Sequence, residues 1–319
     1  MERPRFDRPV PHGGYQWHYL DGVSDDGAWA IVVIAMIGNP FSPGYARARA
    51  KGVASDPLTY STMNVALYGP ARCRRWCLTE RAIAPSDRGA HGVAMGASWM
   101  RWEHGALVVD LDERTSPTRR RVRGRVVLRP ETEPDAAVAL DGAREHLWWP
   151  VAPRGALEVT LEEPRVRFRG LGYHDANAGK TPLEETFDCW TWSRAHAADG
   201  CTLITYATTD RADVTRSHAL EVDRRGGIAP IARLTAAPLG RTAWGIARDA
   251  HADVGVRPTV VRSLEDTPFY ARSLIATHLK GEPVTAMLET LSADRLRARW
   301  VRFLVGFRMG RARDDAWVR

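Results

Sequence analysis

The chain of 319 residues has little cysteine, and its four cysteines are not arranged as a zinc site or a disulfide framework. They stand at Cys73, Cys77, Cys189 and Cys201, without paired C-x-x-C spacing, and no secretion signal precedes them. We expect reduced thiols in a cytoplasmic protein. The sequence also lacks a long apolar run, because AWAIVVIAMIG at residues 28–38 is too short to span a bilayer and indicates a buried strand.

The familiar catalytic signatures are missing as well. The sequence contains no Walker A loop and no H-E-x-x-H zinc motif, and GLGYHD at residues 170–175 lacks the last glycine of the dinucleotide fingerprint. GASWM at residues 96–100 is not the G-x-S-x-G of a serine hydrolase. An enzyme with this sequence is therefore expected to need neither metal nor cofactor, and to use acid–base chemistry by its side chains.

Lysine is scarce, and the net charge of +7 comes mostly from arginine. An arginine excess indicates a nucleic-acid partner, an anionic membrane surface or simply a GC-rich genome. The arginines are scattered and accompany no recognition motif, so we expect no nucleic-acid partner.

Strand signals dominate what is present, and they predict an all-β fold. Short β-branched segments bounded by Gly, Pro or Asp recur along the chain, as in RVRGRVVLRP and CTLITYATTD, which is typical of sandwiches and barrels. Twelve tryptophans suit a core or an apolar ligand site. From Leu291 the pattern becomes helical, with Trp300, Phe303 and Phe307 at helical spacing and arginines over much of the remainder.

Two β-rich halves are predicted. YQWHYLDGVSDDGAWAIVVIAMIG and FDCWTWSRAHAADGCTLITYAT each run from a Trp-containing strand through a Gly turn to an apolar strand, which indicates a duplicated barrel. We expect one barrel domain over residues 1–178, a second over residues 179–290, and a basic amphipathic helix over residues 291–319. Barrels with apolar interiors are suited to a hydrophobic ligand.

Two segments carry groups that are able to move a proton. In REHLWWP, His146 and Trp148 are two residues apart and share one face of a strand. GLGYHDANAG contains turn residues, which places Tyr173 and Asp175 at the mouth of a sheet, on one face if extended. The alternatives are a turn role for Asp175, a structural role for His146, and a core or membrane-interface role for Trp148 and Trp149.

Five motifs taken together resemble the acyclic carotenoid 1,2-hydratases, also called hydroxyneurosporene synthases. They are HGGYQWHYLDG, HLWWP, GLGYHDANAGKTPLEETFDCWTWSRA, EDTPFYARSLI and GEPVTAMLETLSADRLRARWVRF. They stand in the family's order and cover essentially the whole chain. The resemblance implies two fused lipocalin-like β-barrels. The wider superfamily often has a second His and a Trp in the Y-H-D segment, where this chain has Ala176 and Ala178.

The resemblance implies hydration of the terminal 1,2-double bond of neurosporene, lycopene or a related acyclic carotene, without a cofactor. Matched position by position, the family's functional residues fall on His146, Trp148, Tyr173 and Asp175. Trp149 and His174 are expected to contact the substrate. In the implied mechanism Asp175, kept protonated by apolar surroundings, gives its proton to C2. Aromatic faces then stabilise the cation at C1 until water captures it, and His146 either orients Asp175 or holds and deprotonates that water.

Two rival functions stay open. One is a non-catalytic lipocalin-like carrier of carotenoids or other hydrophobes, and the other is an acid-initiated terpene cyclase. The carrier explains the tryptophans but not an acid beside His and Tyr. Because carotenes reside in membranes, we expect the C-terminal helix either to contact lipid or to pack on the barrel. The protein is expected to be cytoplasmic and peripheral on the inner or photosynthetic membrane.

Overall fold

The computed structural model describes residues 4–52 and 55–311, and the chain divides into two compact units. Unit 1 holds the described residues up to Ala139, then Glu145–Pro182 and those from Arg302 onward. Unit 2 holds Leu140–Arg144 and Leu183–Val301. Strands dominate the described part of each unit, so the prediction of an all-β fold is confirmed.

The described part of unit 1 is built on one 13-stranded sheet. Its strands are β1 (Tyr15–Ser24), β2 (Ala30–Ile37), β3 (Ser61–Tyr68), β4 (Arg75–Arg81), β5 (Arg88–Gly89), β6 (Gly92–Met95), β7 (Ser98–Glu103), β8 (Ala106–Arg114), β9 (Arg121–Thr132), β10 (Val138–Ala139), β11 (His146–Glu163), β12 (Val166–Gly179) and β22 (Gly310–Arg311). The order across the sheet is β22-β4-β3-β2-β1-β12-β11-β9-β8-β7-β6-β5, and β10 pairs with β11.

The sheet of unit 1 curls around an apolar core. Strands β3 and β4 approach β6 and β8, and Arg81 of β4 forms a buried ion pair with Glu113 of β8. The core between them includes Leu20, Val33 and Leu128. Most residues of β1 and β2 are buried on both faces, which explains why AIVVIAMI reads as an unbroken apolar run instead of an alternating one.

Unit 2 contains a seven-stranded sheet and a two-stranded sheet among its described residues. Its strands are β13 (Phe187–His196), β14 (Thr202–Asp210), β15 (Thr215–Val222), β16 (Ile228–Pro230), β17 (Leu234–Leu239), β18 (Arg248–Asp253), β19 (Thr259–Asp266), β20 (Tyr270–Leu279) and β21 (Glu282–Ser292). The larger sheet has the order β16-β15-β14-β13-β21-β20-β19, and β17 pairs with β18. A core that includes Ala195, Leu203 and Ile275 also takes in Ala250 of β18.

Helices are short in the described residues. They are α1 (Pro43–Ala50), α2 (Leu183–Thr186), α3 (Ala293–Arg297) and α4 (Arg299–Arg308), with 3-10 turns at Pro57–Tyr60, Ala71–Cys73 and Pro85–Asp87. The helix predicted over residues 291–319 begins instead at Ala293, because the Ser292 hydroxyl caps its first turn, and it breaks at the extended residue Ala298. Residues 312–319 of that prediction lie outside the described part.

The helices of the described segments are all too short or too polar to cross a bilayer. All four cysteines lie in those segments and are free thiols, as predicted.

Candidate active site

The segment GLGYHDANAG is the interior of a strand, so its prediction as a turn at the mouth of a sheet is wrong. It lies wholly within β12, between β1 and β11. Its glycines allow the neighbouring strands and side chains to approach the β12 backbone closely, and they do not form a turn. A Cβ at Gly170 would collide with the carbonyl oxygen of Val23, and one at Gly179 would collide with the ring of Tyr15 and with Nδ1 of His146. Asp175 is therefore not a turn residue.

The pairing of three strands sets which side chains meet. Across β1 and β12, Tyr19 stands opposite Asp175 and Asp21 stands opposite Tyr173. Directly opposite residues of antiparallel strands share a face. Trp148 and His146 of β11 stand opposite Asn177 and Gly179 and so join the same face. We call this the acid face; its residues include Tyr15, Trp17, Tyr19, Asp21, His146, Trp148, Tyr173, Asp175 and Asn177.

Asp175 is the centre of the acid face. It is 5% exposed, and its Oδ2 accepts two hydrogen bonds, from the indole Nε1 of Trp148 at 2.9 Å and from the Tyr173 hydroxyl at 2.9 Å. Trp148 and Tyr173 are themselves fully buried. The expected shared faces, of Tyr173 with Asp175 and of His146 with Trp148, are both present. The carboxyl group is thus buried and held by two neutral donors.

Tyr173 keeps its proton firmly. Burial raises the pKa of its phenol well above the usual value, and the neighbouring carboxyl groups of Asp175 and Asp21 raise it further. A phenol that stays protonated serves as a hydrogen-bond donor over the whole physiological pH range. Tyr173 is therefore a permanent donor to Asp175.

His146 is buried on the acid face and is engaged through both ring nitrogens. Nδ1 shares a hydrogen bond with the Tyr15 hydroxyl at 2.9 Å, and Nε2 shares one with the Thr181 hydroxyl at 3.1 Å. Tyr15 in turn stacks on Trp17, with ring centroids 4.8 Å apart. His146 thereby fixes one end of a row of aromatic rings that includes Tyr15 and Trp17.

Trp149 and His174 lie on the opposite face of the same strands, away from Asp175. We call this the barrel face; its residues here are Gln16, His18, Leu20, Trp149, His174, Ala176 and Ala178. Trp149 packs with Ala176 and under the guanidinium group of Arg8. The positions at which the chain departs from the wider superfamily, Ala176 and Ala178, stand opposite Trp149 and Leu147. The departure therefore falls on the barrel face and leaves the acid face intact.

The barrel face buries two neutral histidines. His174 donates from Nδ1 to the carbonyl oxygen of Tyr19 at 2.7 Å, and the Gln16 amide donates to Nε2 of His18 at 3.1 Å. Burial lowers the pKa of His174 to about 4 and that of His18 well below its usual value. Both rings are uncharged at neutral pH, and their centroids lie 5.9 Å apart.

Potential metal ligands cluster once in the described residues, in unit 2. Asp199, Cys201 and Glu221 lie together there, with the Lys280 ammonium group 2.5 Å from Glu221. The cluster contains none of the acid-face residues, and Lys280 already supplies a positive charge to it.

Sequence reasoning missed Tyr15, Trp17, Tyr19 and Asp21, which line the acid face from β1. The signal was present in YQWHYLDG, where these four residues alternate with Gln16, His18 and Leu20. This alternation is the period of a strand with two unlike faces.

Comparison with known proteins gives consistent results. The family model described as carotenoid hydratase CrtC matches residues 33–318. The chain is 42% identical to the acyclic carotenoid 1,2-hydratase of Thiocapsa roseopersicina, over 97% of this chain and 76% of that protein. The enzyme of the same name from Rubrivivax gelatinosus is 40% identical over the same shares. The crystal structure of kievitone hydratase from Nectria haematococca has a TM-score of 0.56 and 13% identity over 91% of this chain and 92% of that one, and supports the lipocalin-like fold alone.

Proposed function

The chain belongs to the carotenoid hydratase family, and from that membership we propose that it adds water across the terminal 1,2-double bond of acyclic carotenoids in carotenoid biosynthesis. Neurosporene, lycopene and their derivatives are the substrates, and a tertiary alcohol is the product. The observation that carries the proposal is Asp175, a buried carboxyl group held at one oxygen by Trp148 and Tyr173. Hydration changes no oxidation state overall and returns every proton, so the reaction consumes no cofactor, and we propose that it proceeds without one.

Asp175 is the acid of the reaction. A trisubstituted alkene is a weak base and needs a strong, positioned proton donor. Because Trp148 and Tyr173 both donate to Oδ2, Oδ1 is the oxygen that carries the proton. Its transfer to C2 leaves the positive charge on the more substituted C1.

The aromatic rings of the acid face stabilise that cation without combining with it. A ring face contributes about 0.5 to 2 kcal/mol to a nearby cation. Trp148 and Tyr173 serve this role, and β1 adds Trp17 and Tyr19, whose ring centroid is 6.3 Å from that of Tyr173. His146 acts through Tyr15 to hold this row in position.

Substrate reaches the enzyme through peripheral contact with membrane lipid, in the cytoplasm at the inner or photosynthetic membrane. Helix α4 exposes Trp300, Phe303 and Phe307 by 51%, 72% and 61%. Large exposed apolar side chains beside the exposed Arg299 and Arg308 suit an anionic bilayer surface.

The membrane contact is tested with vesicles. We expect Phe303→Ser to weaken binding to anionic vesicles more than Val261→Ser, which changes another exposed apolar residue. Equal binding by the two variants would contradict the contact.

The hydration is tested with lycopene in detergent and water enriched in oxygen-18. We expect an alcohol that carries one labelled oxygen, detected by mass spectrometry. A carrier would return lycopene unchanged, and a cyclase would give an unlabelled isomer of the same mass. Either of those two results would contradict the proposal.

A further inference from the structure

A second buried carboxyl group lies on the acid face. Asp21 is fully buried, and its Oδ2 accepts a hydrogen bond from the Tyr19 hydroxyl at 2.8 Å. Tyr173 and Asp175 form the same kind of pair on the neighbouring strand. Because β1 and β12 are antiparallel, the two pairs run in opposite directions, and each acid stands opposite the phenol of the other pair.

Two buried carboxyl groups that lie close together tend to differ in protonation state. A buried acid is costly, and a second one nearby adds repulsion whenever both are ionised. Sites that need one acid and one base at the same pH are built from such pairs, in which one group holds the proton and the other is free to accept one. The hydration needs both functions, because one proton enters at C2 and another leaves the attacking water.

We propose that Asp21 is the base that accepts this second proton, an inference that rests on the hydration proposed above. The O–H bond of Asp175 breaks as the C2–H bond forms. The water oxygen then bonds to C1, and its surplus proton passes to the Asp21 carboxylate. One water is consumed and one alcohol is formed.

Tyr173 resets the site after each turnover. Its hydroxyl already donates to Asp175, and its Cα partner across the strands is Asp21. Opposed side chains of antiparallel strands have Cβ atoms about 4.5 to 5.5 Å apart, which is within reach of a phenol. The hydroxyl passes its proton to Oδ2 of Asp175 in the same step as it takes the proton of Asp21, so the phenol stays neutral. Rotation of the Asp175 carboxyl group then returns its proton to the Oδ1 position, and both acids are back in their starting states. Both acids raise the pKa of Tyr173, which agrees with a phenol that stays neutral between them.

The test follows deuterium in lycopene incubated with enzyme in heavy water. In Asp21→Asn, Asp175 still delivers deuterium to C2, but the cation more often reverts to alkene because the base is missing. We expect alcohol formation to fall by about 10²-fold or more, while recovered lycopene gains more deuterium at C2 than with the wild-type enzyme. Asp21→Glu should restore part of the rate, and Asp110→Asn, which changes a carboxylate paired with Arg125 outside the acid face, should leave it unchanged.

Alcohol formation by Asp21→Asn within about twofold of wild type would overturn the base role, as would a loss of rate without extra deuterium in lycopene. If the wild-type enzyme gave neither alcohol nor deuterium exchange, the hydration itself would be wrong.

Tyr19→Phe provides a second test if Asp21→Asn does not fold. It removes the bond that stabilises the Asp21 carboxylate and leaves the acid in place. We expect the acidic limb of the kcat/KM profile to move to higher pH, and an unmoved limb would overturn the proposal.

Discussion

The two faces of strand β12 carry opposite chemistry, although their residues alternate along the same fourteen positions. Tyr173 and Asp175 point to the acid face, where hydroxyl, indole and carboxyl groups bond to one another. His174, between them, points to the barrel face, where its imidazole is neutral and bonds to backbone. The difference teaches that one step along a strand separates the residue proposed to transfer a proton from a residue that packs in the core, because successive side chains point to opposite sides.

The largest expected contrast comes from changing the neighbours Asp175 and His174. Asp175→Asn keeps the shape but removes the transferable proton, so we expect hydration to fall by about 10² to 10⁴-fold. His174→Gln should instead lower the free energy of unfolding by about 1 kcal/mol, since it weakens the bond to the Tyr19 carbonyl. Initial rates of alcohol formation and urea unfolding check the two effects. Similar rate losses in both variants would remove the distinction between the faces.

The barrel face should also make stability depend on pH. Folding lowers the pKa of His174 from 6.5 to about 4. Between these values the unfolded chain binds a proton that the folded chain does not, so stability is lost as pH falls through this window. The loss amounts to about 3 kcal/mol for this residue. Urea midpoints at pH 7 and pH 5 should therefore differ less in His174→Gln than in the wild type, and an unchanged difference would contradict the neutral buried ring.

The smallest expected contrast between the two faces comes from changing the adjacent residues Trp148 and Trp149. Trp148→Phe keeps a ring for the cation but loses the indole donor to Asp175, so we expect a roughly tenfold lower rate. Trp148→Ala, which loses the ring as well, should be slower still. Trp149→Phe removes buried area on the barrel face and should act on the unfolding free energy. A larger rate loss from Trp149→Phe than from Trp148→Phe would reverse the assignment of the faces.

Local periodicity was sufficient to predict the strands and part of the site. Alternation at period two placed Tyr173 with Asp175 and His146 with Trp148, and the structure has both pairs on one face. The resemblance to a family added the reaction but could not assign faces, so the expectation that His174 and Trp149 contact the substrate did not take into account that they lie on the other face.

The features that the sequence did not reveal depend on pairing between strands that are distant in the chain. Tyr19 and Asp21 join the site only because β1 pairs with β12 in one register, which no local pattern encodes. The glycines of β12 were mistaken for turn signals, since only the neighbouring strands reveal that Gly170 and Gly179 allow close approach.

The pairing of β1 with β12 also sets when the site exists during synthesis. β1 ends at Ser24 and β12 begins at Val166, so β1 waits for a partner made roughly 140 residues later. At about 5 to 20 residues per second, that wait on the ribosome is roughly 7 to 28 s. During this time β1 has only β2 beside it, and the backbone edge that later pairs with β12 stays open. The two acids therefore cannot come together before β12 has been made, and we expect the nascent chain to keep that edge from pairing elsewhere until then.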